Sequence, residues 1–267
     1  MRCHDNNVTN MGHLLLVGLG LSWKLTTPMA IEALKRSDVV YFDSYTSYSC
    51  DIDENKLLNE GINVIKATRK DLENESHKII KLLEEGKRVA IASVGDPIIA
   101  TTHIALAIEA AKHGHKIRIV PGVSVLCYFL SKTGLSSYKL GRSVTVTFPD
   151  NVMSETPYRV LKANDEQGLH TVMFLDLKDG RMMRAEEAMR ILLELEKRFG
   201  EGVIYPERLV IVGERLGCDD ERVFVSSVSE VQQMIKNEPP HILLFPARKL
   251  HFVEEEGLQW LMRSAIE

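Results

Sequence analysis

The feature that most constrains this chain is the regular alternation of short β-rich runs and amphipathic helical stretches between Met11 and Val120. The runs cover 13–17, 39–42, 64–66, 88–93 and 116–120. Between them, residues 28–36, 53–59, 76–85 and 101–113 carry apolar side chains at three- and four-residue spacing. Strand and helix in this rhythm predict a mainly parallel sheet with helices on its faces. Thr27-Pro28 reads as an N-cap followed by proline at the first helical position. Gly86 and Gly114 fall where helices should end.

Pro121-Gly122 breaks the rhythm, and an apolar segment follows at 123–130. Residues 143–148, 170–176, 208–214, 222–226 and 241–245 then read as strands, and 186–199 and 228–236 as helices. The second of these helices opens on Ser227-Val-Ser-Glu230, a capping-box pattern. Successive strands with no helix between them around 208–226 predict antiparallel pairing. The expectation is an α/β fold of two domains: a parallel α/β domain over 11–121 and an α+β domain over 122–267. The polar residues 1–10 read as a disordered extension.

Composition narrows the partners. A net charge of -4 over 267 residues argues against nucleic acid, whose backbone calls for a basic face. No apolar run reaches the ~18 residues of a membrane span, and the first ten residues lack the apolar middle of a signal peptide. Cys3, Cys50, Cys127 and Cys218 form no CxxC pair and show no even spacing, which predicts reduced thiols and a cytoplasmic protein.

Two segments could carry chemistry. In LLLVGLGLS, residues 14–22, a strand runs into two glycines, but the sixth position counted from Gly18 is Trp23, so the dinucleotide fingerprint fails. The glycines either let a ligand or another backbone approach closely or form a simple turn. In SVGDPIIATTH, residues 93–103, Asp96 sits between glycine and proline at a strand's carboxyl end, where ligands of parallel sheets settle. Its carboxylate either meets a ligand or caps the following helix. His103 reads as packing. Asp176, Glu214 and His241 stand at strand ends of the second half, each weak alone. Glu254-Glu255-Glu256 reads as a solvated helix start, and His113-x-His115 as solvated histidines rather than metal ligands. No metal site and no nucleophilic triad is predicted.

Taken together the blocks resemble the tetrapyrrole-methylase-type methyltransferases. GLGLSWKLTTPMAIEALKRSDVVYFDSYTS is similar to that family's opening. GDPIIATTH, TGLSSYKLGRSVTV, GLHTVMFLDLK and PPHILLFP resemble blocks of its diphthamide-forming branch in the same order, from about His13 to about His251. The resemblance implies S-adenosyl-L-methionine as cofactor, leaving S-adenosyl-L-homocysteine, in a cleft between two domains of a homodimer. It implies methylation of the α-amino group of 3-amino-3-carboxypropyl-histidine on translation elongation factor 2. Carried over block by block, the cofactor residues are Leu21, Asp96, Ile99, Ser124, Val125, Leu175, Glu214 and His241. Methyl transfer to an amine is a direct displacement that depends on alignment, so no catalytic residue is assigned and His241 is only a conceivable proton acceptor. Residues 46–50 and 149–159 are candidates to grip the elongation factor, with plain exposed loops as the alternative. A related enzyme acting on a tetrapyrrole or ribosomal RNA, or a non-catalytic cofactor-binding homologue, stays open.

Overall fold

The computed structural model describes residues 10–150 and 152–264. It divides into two compact units that meet between Ser124 and Val125, where the sequence pattern places the division between 121 and 122. Asn10 bridges to Glu85; residues 1–9 of the expected extension lie outside the described residues.

The first unit runs β1 (His13–Gly18), α1 (Pro28–Lys35), β2 (Val39–Asp43), α2 (Glu54–Asn59), β3 (Ile65–Ala67), α3 (His77–Glu84), β4 (Arg88–Ser93), α4 (Ile104–Lys112) and β5 (Lys116–Val120). The strands form one parallel sheet in the order β3-β2-β4-β1-β5. Alternate residues of the central strands face opposite helical layers. Leu15, Val17, Ala90 and Ala92 pack with Ala30 and Leu34 of α1 and Leu57 of α2. Leu14, Leu16, Val89 and Ile91 pack with Ile79 and Leu83 of α3 and Leu106 and Ala110 of α4. Both faces are dry, which is why these strands read as apolar runs rather than alternating ones. Thr27 does cap α1, its side chain accepting from the Ala30 amide at 3.1 Å. Gly86 and Gly114 end α3 and α4 at φ of +80° and +82°, where a side chain would be strained. His115, expected in solvent, is instead buried, with Nδ1 accepting from the Gly12 amide at 3.3 Å. The next strand begins one residue later and draws it into the fold.

The second unit runs α5 (Val125–Ser131), β6 (Val144–Val146), α6 (Thr156–Glu166), β7 (Thr171–Leu175), the small hairpin β8 (Leu177–Lys178) and β9 (Arg181–Met182), α7 (Ala185–Phe199), β10 (Leu209–Glu214), β11 (Arg222–Ser227), α8 (Val231–Met234), β12 (His241–Phe245) and α9 (Phe252–Ser264). Its sheet order is β11-β10-β12-β7-β6, antiparallel except for the β6–β7 pair. That parallel pair needs a crossover helix, and α6 supplies it within a stretch where the sequence reading placed no helix. Its inward stripe is Tyr158, Val160 and Leu161, interrupted by buried Asn164, whose side chain donates to the Arg142 carbonyl and Thr171 Oγ1. The polar residue disguises the helical period.

Two further expectations change. The helix after Ser227 spans only Val231–Met234, and Ser227 Oγ meets the Glu230 carboxylate instead of capping it. The amides of Lys236 and Asn237 donate to Glu214, which turns the chain away from helix. Cys50 and Cys218 each take part in a disulfide, and Cys127 is a free, exposed thiol. Reduced thiols at 50 and 218 are therefore overturned; cysteine spacing in the sequence does not by itself reveal which thiols are bonded. No described helix is long and apolar enough to cross a membrane.

Candidate active site

At the carboxyl ends of β4, β1 and β5, backbone packs directly on backbone. The Gly95 amide donates to the Gly20 carbonyl at 2.8 Å, and the Gly20 amide to the Gly95 carbonyl at 3.1 Å. A Cβ on Gly122 would lie 2.1 Å from the Gly95 oxygen, and one on Gly18 would lie 2.5 Å from the Gly122 nitrogen. The glycines of GLGL thus admit a neighbouring chain, one of the two readings the sequence left open.

Asp96 organises the loop that follows. Its Oδ1 accepts from the amides of Ile98 and Ile99 at 2.9 and 3.1 Å, and Oδ2 accepts from the Gly122 amide at 3.2 Å. It caps its own turn and not α4, which begins at Ile104. A carboxylate offers about four lone-pair sites, so room for a ligand donor remains. The turn leaves Ile99 37% exposed and Ala100 at φ +60°. Across the Gly20–Gly95 bridge lies Leu21, buried, its carbonyl accepting from Ser49 Oγ at 2.9 Å. Ser124, also buried, closes this unit.

In the second unit three of the expected residues lie at the same end of neighbouring strands. Glu214 of β10 pairs with His241 of β12, and Leu175 ends β7 one residue after Phe174, which pairs with Ile242. The polar members are committed to structure. Glu214, 0% exposed, accepts from Arg222 Nη1 at 2.8 Å and from the Lys236 amide at 3.0 Å. His241 Nδ1 accepts from the Ala185 amide at 3.0 Å while Nε2 faces the Asn237 carbonyl at 3.0 Å. That places the proton on Nε2 and leaves neither nitrogen a free lone pair for a substrate proton. Burial lowers the His241 pKa, outweighing the Asn237 contact and the Glu214 charge. Val125 opens α5. Asp176 turns a loop, Oδ2 accepting from the Phe148 amide at 2.9 Å.

The family described as Tetrapyrrole (Corrin/Porphyrin) Methylases matches residues 13–232. The chain belongs to that family. It is 48% identical to the diphthine synthase of Saccharolobus solfataricus, over 95% of this chain and 100% of that one. It is 49% identical to the diphthine synthase of Sulfurisphaera tokodaii over the same shares of each chain, 95% and 100%. A crystal structure of diphthine synthase superposes with a TM-score of 0.85 at 31% identity, covering 94% of this chain and 96% of that chain. The methylase is thus placed in the diphthine synthase branch, and it is an S-adenosylmethionine-dependent methyltransferase.

The residues of the methylase's first unit fit that donor on two observations. Ile99 offers an exposed apolar side chain from a backbone that Asp96 holds still, as suits a purine or ribose face. Ser22 Oγ, next to Leu21, is buried with no hydrogen-bond partner among the described residues, and such a group calls for one. The sequence reading missed Ser22 and the contact of Gly122 with Gly95 and Asp96. Gly122 was marked only as part of the Pro121-Gly122 break, and nothing marked Ser22.

Proposed function

We propose that this methyltransferase acts on the α-amino group of a 3-amino-3-carboxypropyl-histidine on translation elongation factor 2, in diphthamide biosynthesis. The carrying observation is full-length similarity near 48% to proteins named diphthine synthase. Leu21, Asp96, Ile99 and Ser124 of the first unit and Val125, Leu175, Glu214 and His241 of the second are the donor-binding residues in this reading. The protein works in the cytoplasm as a homodimer.

When bound, S-adenosylmethionine supplies a methyl group on a sulfonium, open to direct displacement by an amine. The chain's part is to align and enclose. Asp96 fixes the loop that carries Ile99, while Leu21 and Leu175 contribute apolar surface. Orientation of two reactants can be worth effective molarities of about 10⁵–10⁸ M, and an apolar surround favours the neutral, nucleophilic amine. No proton-transfer residue is required at the methyl-transfer step itself.

The decisive assay offers labelled S-adenosylmethionine with elongation factor carrying the modified histidine, beside unmodified factor and ribosomal RNA. Label only on the first supports the proposal; label on RNA, or on nothing, discards it. Asp96→Asn is the residue-level test, because the new amide NH₂ opposes the Gly122 amide. Losing one charge-assisted hydrogen bond costs about 1.5–3 kcal/mol, so calorimetric donor affinity should fall roughly tenfold or more. Unchanged affinity would remove Asp96 from the site.

A further inference from the structure

A buried histidine–aspartate pair touches the Asp96 loop without belonging to the arrangement described so far. Asp43, which ends β2, is 1% exposed, and His103, which precedes α4, is 2% exposed. His103 Nδ1 lies 3.2 Å from the Pro97 carbonyl and 3.4 Å from Ser93 Oγ. Nε2 lies 3.3 Å from Asp43 Oδ2, at ion-pair distance but without hydrogen-bond alignment. An acceptor faces each ring nitrogen, the Pro97 carbonyl on one side and the Asp43 carboxylate on the other.

Asp43 carries the connection onward. Its Oδ1 accepts from the amides of Tyr45 and Thr46, both at 3.1 Å, and Oδ2 accepts from Thr46 Oγ1. Burial would raise the Asp43 carboxyl, but the adjacent His103 ring and the bonds from Thr46 hold it below the ordinary carboxylate range. A second tie joins the same two loops: Glu73 Oε1 accepts from the Tyr45 hydroxyl at 3.3 Å and from Thr102 Oγ1 at 2.8 Å. As a stability device a buried ion pair is poor, because apolar residues of like volume often do as well or better. The geometry points elsewhere, to placement of the turn that starts at Pro97.

We propose that Asp43 and His103 are positioning residues that fix the Asp96 loop against the loop after β2 and thereby set affinity for S-adenosylmethionine. This rests on the reading of the Asp96 loop as donor-binding. The pair touches neither reacting group, so it should govern binding and leave turnover at saturation nearly intact.

The test uses the full chain and S-adenosylmethionine itself. Calorimetry on His103→Gln and on Asp43→Asn should show binding weakened roughly 10–100-fold, the range seen when a supporting partner is lost. Turnover at saturating donor should change by less than about threefold, since uniform binding alone is removed. Combining both substitutions pairs two neutral amides, so the double variant should bind no worse than the weaker single. Hydrogen exchange at the Ile98 and Ile99 amides should quicken in the singles while β1 stays protected. Singles that bind like the parent, or losses that simply add in the double, overturn the proposal. Should either single fail to fold, Thr46→Val removes one bond to Asp43 and should still weaken binding a few-fold; parental affinity there overturns it equally. If the unaltered chain binds no donor, the donor-site reading falls and the strut with it. If it binds and the variants match it, the strut falls alone.

Discussion

The two units hold their strand ends by opposite means. In the first, chains touch through Gly18, Gly95 and Gly122, and Asp96 ties amides two and three residues away and then Gly122. In the second, buried carboxylates reach across long sequence separations. Glu214 holds the 236–237 backbone, and Glu254 gathers Ser136, Lys139 and His170. The first arrangement is vulnerable to volume and the second to charge. A loop fixed by backbone contact is also fixed in shape whatever the pH does to most side chains, as suits a site that works by alignment.

The largest expected effect comes from adding one carbon to the first unit. Gly122→Ala sets its Cβ 2.1 Å from the Gly95 oxygen and 2.8 Å from Gly18, all backbone, so nothing flexible can yield. Overpacking of this kind costs about 3 kcal/mol or more, and donor binding should be lost with it. Gly168→Ala in the second unit is the control: φ is +69° but nothing lies within 4 Å. Its cost is the left-handed backbone alone, about 1–2 kcal/mol. Denaturant midpoints for the two variants measure the contrast, and equal losses would erase it.

Next comes charge in the second unit. Glu254, at the start of α9 and 2% exposed, accepts from His170 Nε2 at 2.8 Å, Lys139 Nζ at 2.7 Å and the His251 amide at 2.8 Å. Burial alone would raise its carboxyl, but these bonds bring it down to about 2. The stability it lends is therefore present above its ordinary value near 4.5 and is lost as pH falls toward 2, a swing of about 3 kcal/mol. Burial also lowers His170 from its ordinary 6.5, more than Glu254 raises it, so protonating it opposes folding once pH drops below that value. Both groups push the same way. Glu254→Gln should cost about 3 kcal/mol at pH 7 by stranding its cationic partner and should flatten the acid limb. Trp260, in α9, and Trp23, in the first unit, allow each to be followed by fluorescence once the other is replaced by phenylalanine. A variant that keeps the parental acid limb would refute the charge account.

This contrast also explains what could be read in advance. The parallel sheet was legible because each of its first four strands in chain order is followed by a stretch of helical period, with Thr27-Pro28, Gly86 and Gly114 marking helix ends. The Asp96 loop was legible because Gly-Asp-Pro at a strand end admits few backbone paths. The second unit hid more, since its key contacts join residues such as Glu254 and His170, 84 apart, and no local pattern encodes such a distance. For that reason Glu254, taken as solvated, is in fact buried, and α6, with Asn164 in its core-facing stripe, was not read as a helix. His103 was seen but taken for packing, because its partner Asp43 lies 60 residues earlier in the chain.

The smallest expected effect tests local signals against each other. Thr27 and Ser227 both read from the sequence as helix caps, one in each unit. Only Thr27 accepts from an amide of its helix, that of Ala30; Ser227 Oγ spends itself on Glu230 and Ser229 at the surface. Removing a true N-cap costs about 1 kcal/mol, whereas an exposed side-chain contact with no orphan amide to satisfy is worth within about 0.5 kcal/mol. Thr27→Ala should therefore lower the thermal midpoint measurably and Ser227→Ala hardly at all. Equal shifts would mean that α8 is capped in solution after all. The second unit would then lean on local signals as much as the first, and the contrast would rest on Glu214 and Glu254 alone.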